Sequence, residues 1–131
     1  MKYTPEIITE LAPNEVFVFG TNQYAKHGGG AALTATRNFG AIYGESPIGL
    51  VGNTYGIVTT SFNEVPVSIE FIRSQIEVLY YFALLRPDLT FLVTKIGTGI
   101  AGFSIEEIKG AFRMPFKPKN IILPIEFLNH S

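Results

Sequence analysis

The sequence TFLVTKIGTGIAGFSIEEI, residues 90–108, contains the pattern that decides the fold. Its apolar first part is typical of a buried strand, and its glycine-rich turn leads to a predicted helix start, where Ser104 and Glu107 have the spacing of a capping box. Backbone N–H groups at such a turn point outward, and glycine lets a ligand approach without a Cβ in the way. The segment therefore predicts an α/β fold with an anion site where the strand meets the helix.

The turn itself, GTGIAG at 97–102, matches the dinucleotide-binding pattern G-x-G-x-x-G. Glu126 also lies roughly where the ribose-binding acid of such a fold is expected. Only one predicted strand follows the turn, however, whereas a dinucleotide fold has two mononucleotide halves and its glycine pattern normally opens the first. We therefore interpret the turn as a phosphate loop and not as part of a hydride-transfer site.

Composition narrows the class of protein further. The 131 residues are 47% hydrophobic and 16% charged, which predicts a single domain over 1–131 with an apolar core. The net charge of -1 does not favour a nucleic-acid-binding protein. There is no cysteine, the two histidines are far apart and the carboxylates form no dense cluster, so no metal site is expected. No cofactor is expected either. No membrane segment is predicted, so we expect a cytoplasmic protein. The sequence leaves the oligomeric state open.

Hydrophobic periodicity and capping residues predict four strands and four helices. The strands are expected at 16–19, 55–60, 90–96 and 121–123. The helices are expected at 4–11, 31–39, 68–86 and from Ser104 onward. Gly20 is expected to end the first strand and Gly40 to follow the second helix. This alternation of strands and helices predicts an α/β sandwich whose sheet is largely parallel or mixed.

A second glycine-rich loop, GTNQYAKHGGGAA at 20–32, also follows a buried strand and precedes a helix. Ligands in open α/β sheets bind outside the carboxyl ends of the strands, so the two loops can hold one ligand from two sides. The helix after this loop opens with Ala31 and Ala32 and has no acid in its first turn. An anion can therefore lie at its positive end.

Three polar residues are candidates for chemistry. His27 can act as a general base or donate to a phosphate, or it can be a surface histidine. Asn22 can orient a ribose hydroxyl or a water molecule, or its side chain can close a turn at the strand end. Lys95 is a charge within an apolar run and is expected at the rim of the cleft.

Three stretches together resemble the macro domain, the ADP-ribose-binding module. They are VFVFGTN at 16–22, GGGA at 28–31 and IGTGIAGF at 96–103. The order of these motifs and their strand-to-helix setting agree with that family, and the similarity is closer to its small bacterial and phage members. The resemblance implies a three-layer α/β/α sandwich with a mixed central sheet. It also implies a cleft for an ADP-ribose-like nucleotide.

The same resemblance implies roles for individual residues. Asn22 would contact the distal ribose and take part in hydrolysis in the active members, which makes it a catalytic candidate beside His27, the histidine argued above from its own chemistry. Phe103 would flank the distal ribose. In the first loop the resemblance implies ligand binding by Asn22, Gly28, Gly29 and Gly30, and we expect the neighbouring Gly20, Thr21 and Ala31 to bind as well. In the second loop it implies ligand binding by Thr98, Gly99, Ile100, Ala101, Gly102 and Phe103, and we expect Gly97 to bind as well.

One departure from the family concerns hydrolysis. Hydrolytic macro domains have an aspartate just after the glycine run, where this chain has Ala31 and Ala32. The sequence therefore predicts binding of an ADP-ribose-like or other phosphate ligand and leaves two alternatives. One is a hydrolase that removes ADP-ribose or phosphate from a modified substrate, and the other is a protein-interaction domain without a ligand.

Overall fold

Strand β1 (Glu15–Asn22) lies in the middle of the sheet. The computed structural model describes residues 2–23, 30–41 and 49–128. Four further strands are present in this part of the chain: β2 (Gly49–Val51), β3 (Thr54–Thr60), β4 (Thr90–Val93) and β5 (Ile121–Ile122). The strand order is β2-β3-β1-β4-β5, with β2 antiparallel to β3 and all other neighbours parallel. The mixed sheet predicted from the sequence is confirmed.

The side chains of β1 alternate between two apolar clusters, as the period of a strand requires. Val16 and Val18 belong to the larger cluster, which includes residues of helices α2 (Ile69–Leu85) and α3 (Ile105–Ala111). Phe17 and Phe19 belong to the smaller cluster with helix α1 (Gly30–Asn38). Helices therefore cover both faces of the sheet, an arrangement compatible with the expected α/β sandwich.

The predicted helix at 68–86 is confirmed almost to the residue. Ser68 precedes α2, and its hydroxyl accepts a hydrogen bond from the Phe71 N–H at 3.1 Å. The apolar residues at three-and-four spacing, among them Ile72, Ile76 and Leu79, form the buried face of the helix. Packing against the sheet and local capping therefore favour the same helix.

The predicted helix at 4–11 is wrong. Thr4 instead forms an isolated parallel bridge with Pro124. Its N–H donates to Leu123 O at 2.8 Å, and its hydroxyl donates to Ile122 O at 2.9 Å. The bridge and these two hydrogen bonds hold Thr4 against the end of β5, so Thr4 takes part in strand pairing and does not begin a helix. The segment that follows has no regular secondary structure up to Leu11.

Strand boundaries differ from the prediction where neighbouring strands decide them. Strand β1 does not end at Gly20 but continues to Asn22, because Gly20 pairs with Ile57 and Asn22 with Thr60. Strand β2 was not predicted, and it forms a hairpin with β3. The strands predicted at 90–96 and 121–123 end earlier, β4 at Val93 and β5 at Ile122. Gly40 follows α1 with a φ of 91°, as expected for a glycine after a helix.

Candidate functional site

A cavity of about 510 Å³ lies at the carboxyl ends of β1, β3 and β4. Strand β1 contributes Thr21 and Asn22 to its wall, and β3 contributes Thr59 and Thr60. Ala31 and Ala32 at the start of α1 form another part of the wall, and the segment after β4 forms a third. Open α/β sheets bind their ligands at the carboxyl ends of their strands. The volume of the cavity lies within the range of small-molecule sites.

The end of β1 forms one part of the cavity wall. A Cβ placed on Gly20 would lie 3.3 Å from two side-chain atoms of Thr59 and 3.5 Å from Gly97 N, so the backbone here approaches both neighbours closely. The pairing with β3 shifts register between Thr21 and Asn22, and irregularities of this kind re-aim side chains beside functional sites. Gly20, Thr21 and Asn22, all predicted to bind the ligand, lie together on the wall.

The second glycine loop forms the part of the wall that follows β4. Gly97, Gly99, Ile100 and Ala101 all line the cavity. Within the described part of the chain, no hydrogen bond uses the backbone N–H groups of residues 98–101. Consecutive free N–H groups in a turn are suited to an anion. The loop therefore has the donors that the sequence predicts there.

Three other predicted residues of this loop do not reach the cavity wall. The Thr98 hydroxyl donates to Lys95 O at 2.8 Å. The N–H of Gly102 donates to Gly99 O at 3.0 Å, and that of Phe103 to Gly97 O at 2.9 Å, which closes the loop on itself. The Phe103 ring is half-buried against the larger core cluster. These residues therefore stabilise the conformation of the loop and do not line the cavity.

Helix α3 begins directly after this loop, and its N-terminus is capped within the chain. The Ser104 hydroxyl accepts from Glu107 N at 3.1 Å, and the Glu107 carboxylate accepts from Ser104 N at 2.9 Å. The predicted capping box is confirmed. Because Glu106 and Glu107 both lie in the first turn, this helix end is already next to negative charge. Any anion affinity of the loop therefore comes from its own N–H groups.

Residues 24–29 of the first loop lie outside the described part of the chain. They include three predicted site residues, His27, Gly28 and Gly29, and also Lys26. Gly30 begins α1, and Ala31 follows it on the cavity wall. Of the two catalytic candidates, Asn22 is therefore placed at the cavity, and His27 stays a prediction.

Lys95 has two carboxylate partners. Its Nζ lies 3.1 Å from Glu6 Oε1 and 3.5 Å from Glu126 Oε2. The hydrogen bond to Glu6 is the main reason that the pKa of Lys95 is raised above its ordinary value, and the charge of Glu126 adds to it. Lys95 lines the cavity, as predicted for the rim. Its positive charge is already balanced there.

One acidic residue of the wall, Glu64, was not predicted from the sequence. It lies in a short 3₁₀ turn, Phe62–Glu64, that follows β3. Asn63 and Glu64 have φ values of 57° and 60°, in the left-handed region that residues with a Cβ seldom adopt. No sequence motif marks this turn, because Glu64 reaches the cavity only through the path of the chain after β3.

A second cavity of about 320 Å³ lies beside the first and shares Ala31, Thr94 and Lys95 with it. Residues 4–8 and Phe17 form much of its remaining wall. The N-terminal segment can line this space because it does not form the predicted helix. The two cavities are therefore neighbours along the ends of β1 and β4.

Comparisons with protein-family models, with curated proteins and with solved structures give no match to this chain. Among the described residues, no three His, Cys, Asp or Glu side chains are grouped so that they could hold a metal ion. None of the helices in the described ranges has the length and apolar character needed to cross a bilayer. The fold and the cavity thus define a mixed α/β protein with a small-molecule-sized cleft.

Proposed function

We propose that this protein is a macro domain-like module that binds an ADP-ribose-like nucleotide, or another phosphate ligand, in the cavity of about 510 Å³. The observation that carries the proposal is the position of this cavity between the ends of β1 and β3 and the Gly97–Ala101 part of the second loop. Free N–H groups suit a phosphate, and threonine hydroxyls suit the polar groups of a sugar.

The macro-like assignment rests on the three motifs quoted from the sequence. It is supported by a mixed sheet with helices on both faces and by the meeting of the two motif-bearing strand ends, Gly20–Asn22 and the segment from Gly97, at one cavity. An open cavity of this size is also the reason to place ligand binding ahead of a protein-interaction role without a ligand.

Thermal unfolding in the presence of ADP-ribose, AMP and NAD tests the proposal. A ligand at a hundredfold its dissociation constant stabilises the folded state by about 2.7 kcal/mol, which a melting curve detects. We expect a shift with at least one of the three, and no shift with any of them contradicts the assignment of an ADP-ribose-like nucleotide as the ligand.

A matched pair of glycine variants locates the site. A Cβ on Gly99 or on Gly110 meets no atom within 4 Å, but only Gly99 lines the cavity. Gly99→Leu should abolish the ligand-induced shift, whereas Gly110→Leu on α3 should retain it. An equal loss in both variants would show that the ligand does not bind at the loop.

Hydrolysis on the same scaffold is the second candidate, because Asn22 and a carboxylate, Glu64, share one cavity wall. Turnover of an ADP-ribosylated substrate that is lost in Asn22→Ala or His27→Ala would support it. Turnover that persists in both variants would remove these two residues from the mechanism.

A further inference from the structure

Glu64 is held at the cavity by the way the chain leaves β3. The N–H of Ser61 donates to Val65 O at 2.7 Å, and the Ser61 hydroxyl approaches the same oxygen at 3.3 Å. Thr60 and Pro66 then form an antiparallel bridge. These contacts close residues 61–65 into a tight turn directly after the strand, so the position of Glu64 follows from that of β3.

The backbone of this turn is unfavourable for the residues it contains. Asn63 and Glu64 are consecutive and both left-handed, and they are the two non-glycine residues with positive φ in the described part of the chain. Asparagine tolerates this conformation better than glutamate does. Backbone conformations of this kind cluster at active sites and ligand-binding sites, and Glu64 lines the cavity.

The charges on the cavity wall are uneven. Lys95 is paired with Glu6 and Glu126, whereas Glu64 takes part in no ion pair between described residues. A phosphate beside Glu64 would be repelled by the carboxylate. We therefore expect the phosphate at the second glycine loop, residues 97–102. Glu64 then faces a part of the ligand that donates hydrogen bonds.

The strand order separates these two regions. The turn with Glu64 follows β3, the Gly97 loop follows β4, and β1 lies between the two strands. Neighbouring strands are about 4.8 Å apart, so the ends of β3 and β4 are about 10 Å apart. This distance suits a ligand that carries its phosphate at one end and a sugar at the other.

We propose that Glu64 is a specificity-determining residue that accepts hydrogen bonds from the hydroxyls of a sugar phosphate, whose phosphate lies on the N–H groups of residues 99–101. The assignment rests on the proposed function of the cavity. A carboxylate accepts from two neighbouring hydroxyls through short, charge-assisted hydrogen bonds, which an amide or a glycine at position 64 does not provide.

Titration calorimetry with ADP-ribose and with inorganic pyrophosphate tests this assignment, because the second ligand has the phosphates without the sugar. Glu64→Gln removes the charge and keeps the shape, and Glu64→Gly removes the side chain at a φ that suits glycine. We expect both variants to bind ADP-ribose at least tenfold more weakly, and pyrophosphate as well as wild type or better. Glu77→Gln, an exposed acid on α2, is the control and should change neither affinity more than twofold.

Each other outcome has a distinct meaning. ADP-ribose affinity within twofold of wild type in both Glu64 variants, or an equal loss for both ligands, overturns the assignment of Glu64 alone. Binding of pyrophosphate but not of ADP-ribose by the wild type overturns the sugar part of the assignment. A wild type that binds neither ligand overturns the proposed function together with this inference. Urea unfolding of Glu64→Gly, expected to be at least as stable as wild type, verifies that lost binding is not lost folding.

Discussion

Gln75 on α2 hydrogen-bonds both backbone groups of Val58 on β3. Its Nε2 donates to Val58 O at 2.9 Å, and its Oε1 accepts from Val58 N at 2.7 Å. Strand β2 pairs with β3 only as far as Gly56, so it does not reach Val58. The buried side-chain amide takes the place of a neighbouring strand and joins the long helix to the sheet.

Glutamine and leucine have similar volumes, but Gln75→Leu should still destabilise the fold strongly. It leaves a buried N–H and a buried carbonyl of Val58 without partners, at a cost of about 3 kcal/mol. The free energy of unfolding in urea measures the effect. Glu77→Ala on the exposed side of the same helix should stay within about 0.5 kcal/mol of wild type. A small effect at Gln75 would mean that water or a side chain replaces its amide.

Gly97→Ala and Gly99→Ala separate folding from binding in the second loop. Gly97 has a φ of 75°, and a Cβ there would lie 2.8 Å from Ile108 Cδ1. We expect Gly97→Ala to lower the free energy of unfolding by about 1–3 kcal/mol. A Cβ on Gly99 meets nothing within 4 Å, so Gly99→Ala should be as stable as wild type or up to about 1 kcal/mol more stable. Equal destabilisation of both variants in urea would contradict this reading.

Ser104→Ala tests the capping box that follows the loop. The exchange removes the hydrogen bond from Glu107 N and should lower the free energy of unfolding by about 1 kcal/mol. Ser74→Ala is a matched control, because Ser74 lies inside α2 and alanine has the higher helix propensity. If both serine variants lose the same stability in a melting experiment, the cap contributes nothing of its own.

Tyr80→Phe should change the response of the protein to alkaline pH. Burial raises the pKa of the Tyr80 phenol well above its ordinary value, and its hydroxyl donates to Phe112 O at 3.1 Å. Above about pH 10 the unfolded phenol ionises while the folded one stays neutral, so wild-type stability falls as the pH rises. The variant lacks this loss.

Urea unfolding between about pH 8 and pH 11 measures the difference. Near pH 8 the variant should be about 1 kcal/mol less stable, since the Phe112 carbonyl loses its donor. Above about pH 10 this difference in the free energy of unfolding between wild type and variant should shrink by up to about 1.4 kcal/mol per pH unit. Parallel pH curves would contradict the prediction. Tyr81→Phe, at an exposed site on the same helix, should stay within about 0.5 kcal/mol of wild type at neutral pH.

Local patterns in the sequence determined much of the framework. The apolar run around Val18 predicts a central strand, the spacing of Ile72, Ile76 and Leu79 predicts α2, and Ser104 with Glu107 predicts the start of α3. These features are set by neighbours within a few residues, because a strand buried on both faces, an amphipathic helix and a cap each have their own short-range pattern.

Contacts between distant parts of the chain decided the rest. Thr4 lies against the end of β5, 118 residues away, and so does not begin a helix. Pairing with β3 carries β1 through Gly20 to Asn22. The strand order then brings Glu64, Lys95 and the Gly97 loop to one cavity. The sequence by itself determined the class of the fold and two of the loops that meet at the cleft. Only the tertiary structure decided which charges accompany them, because strand pairing and hydrogen bonds between distant residues leave no local pattern in the chain.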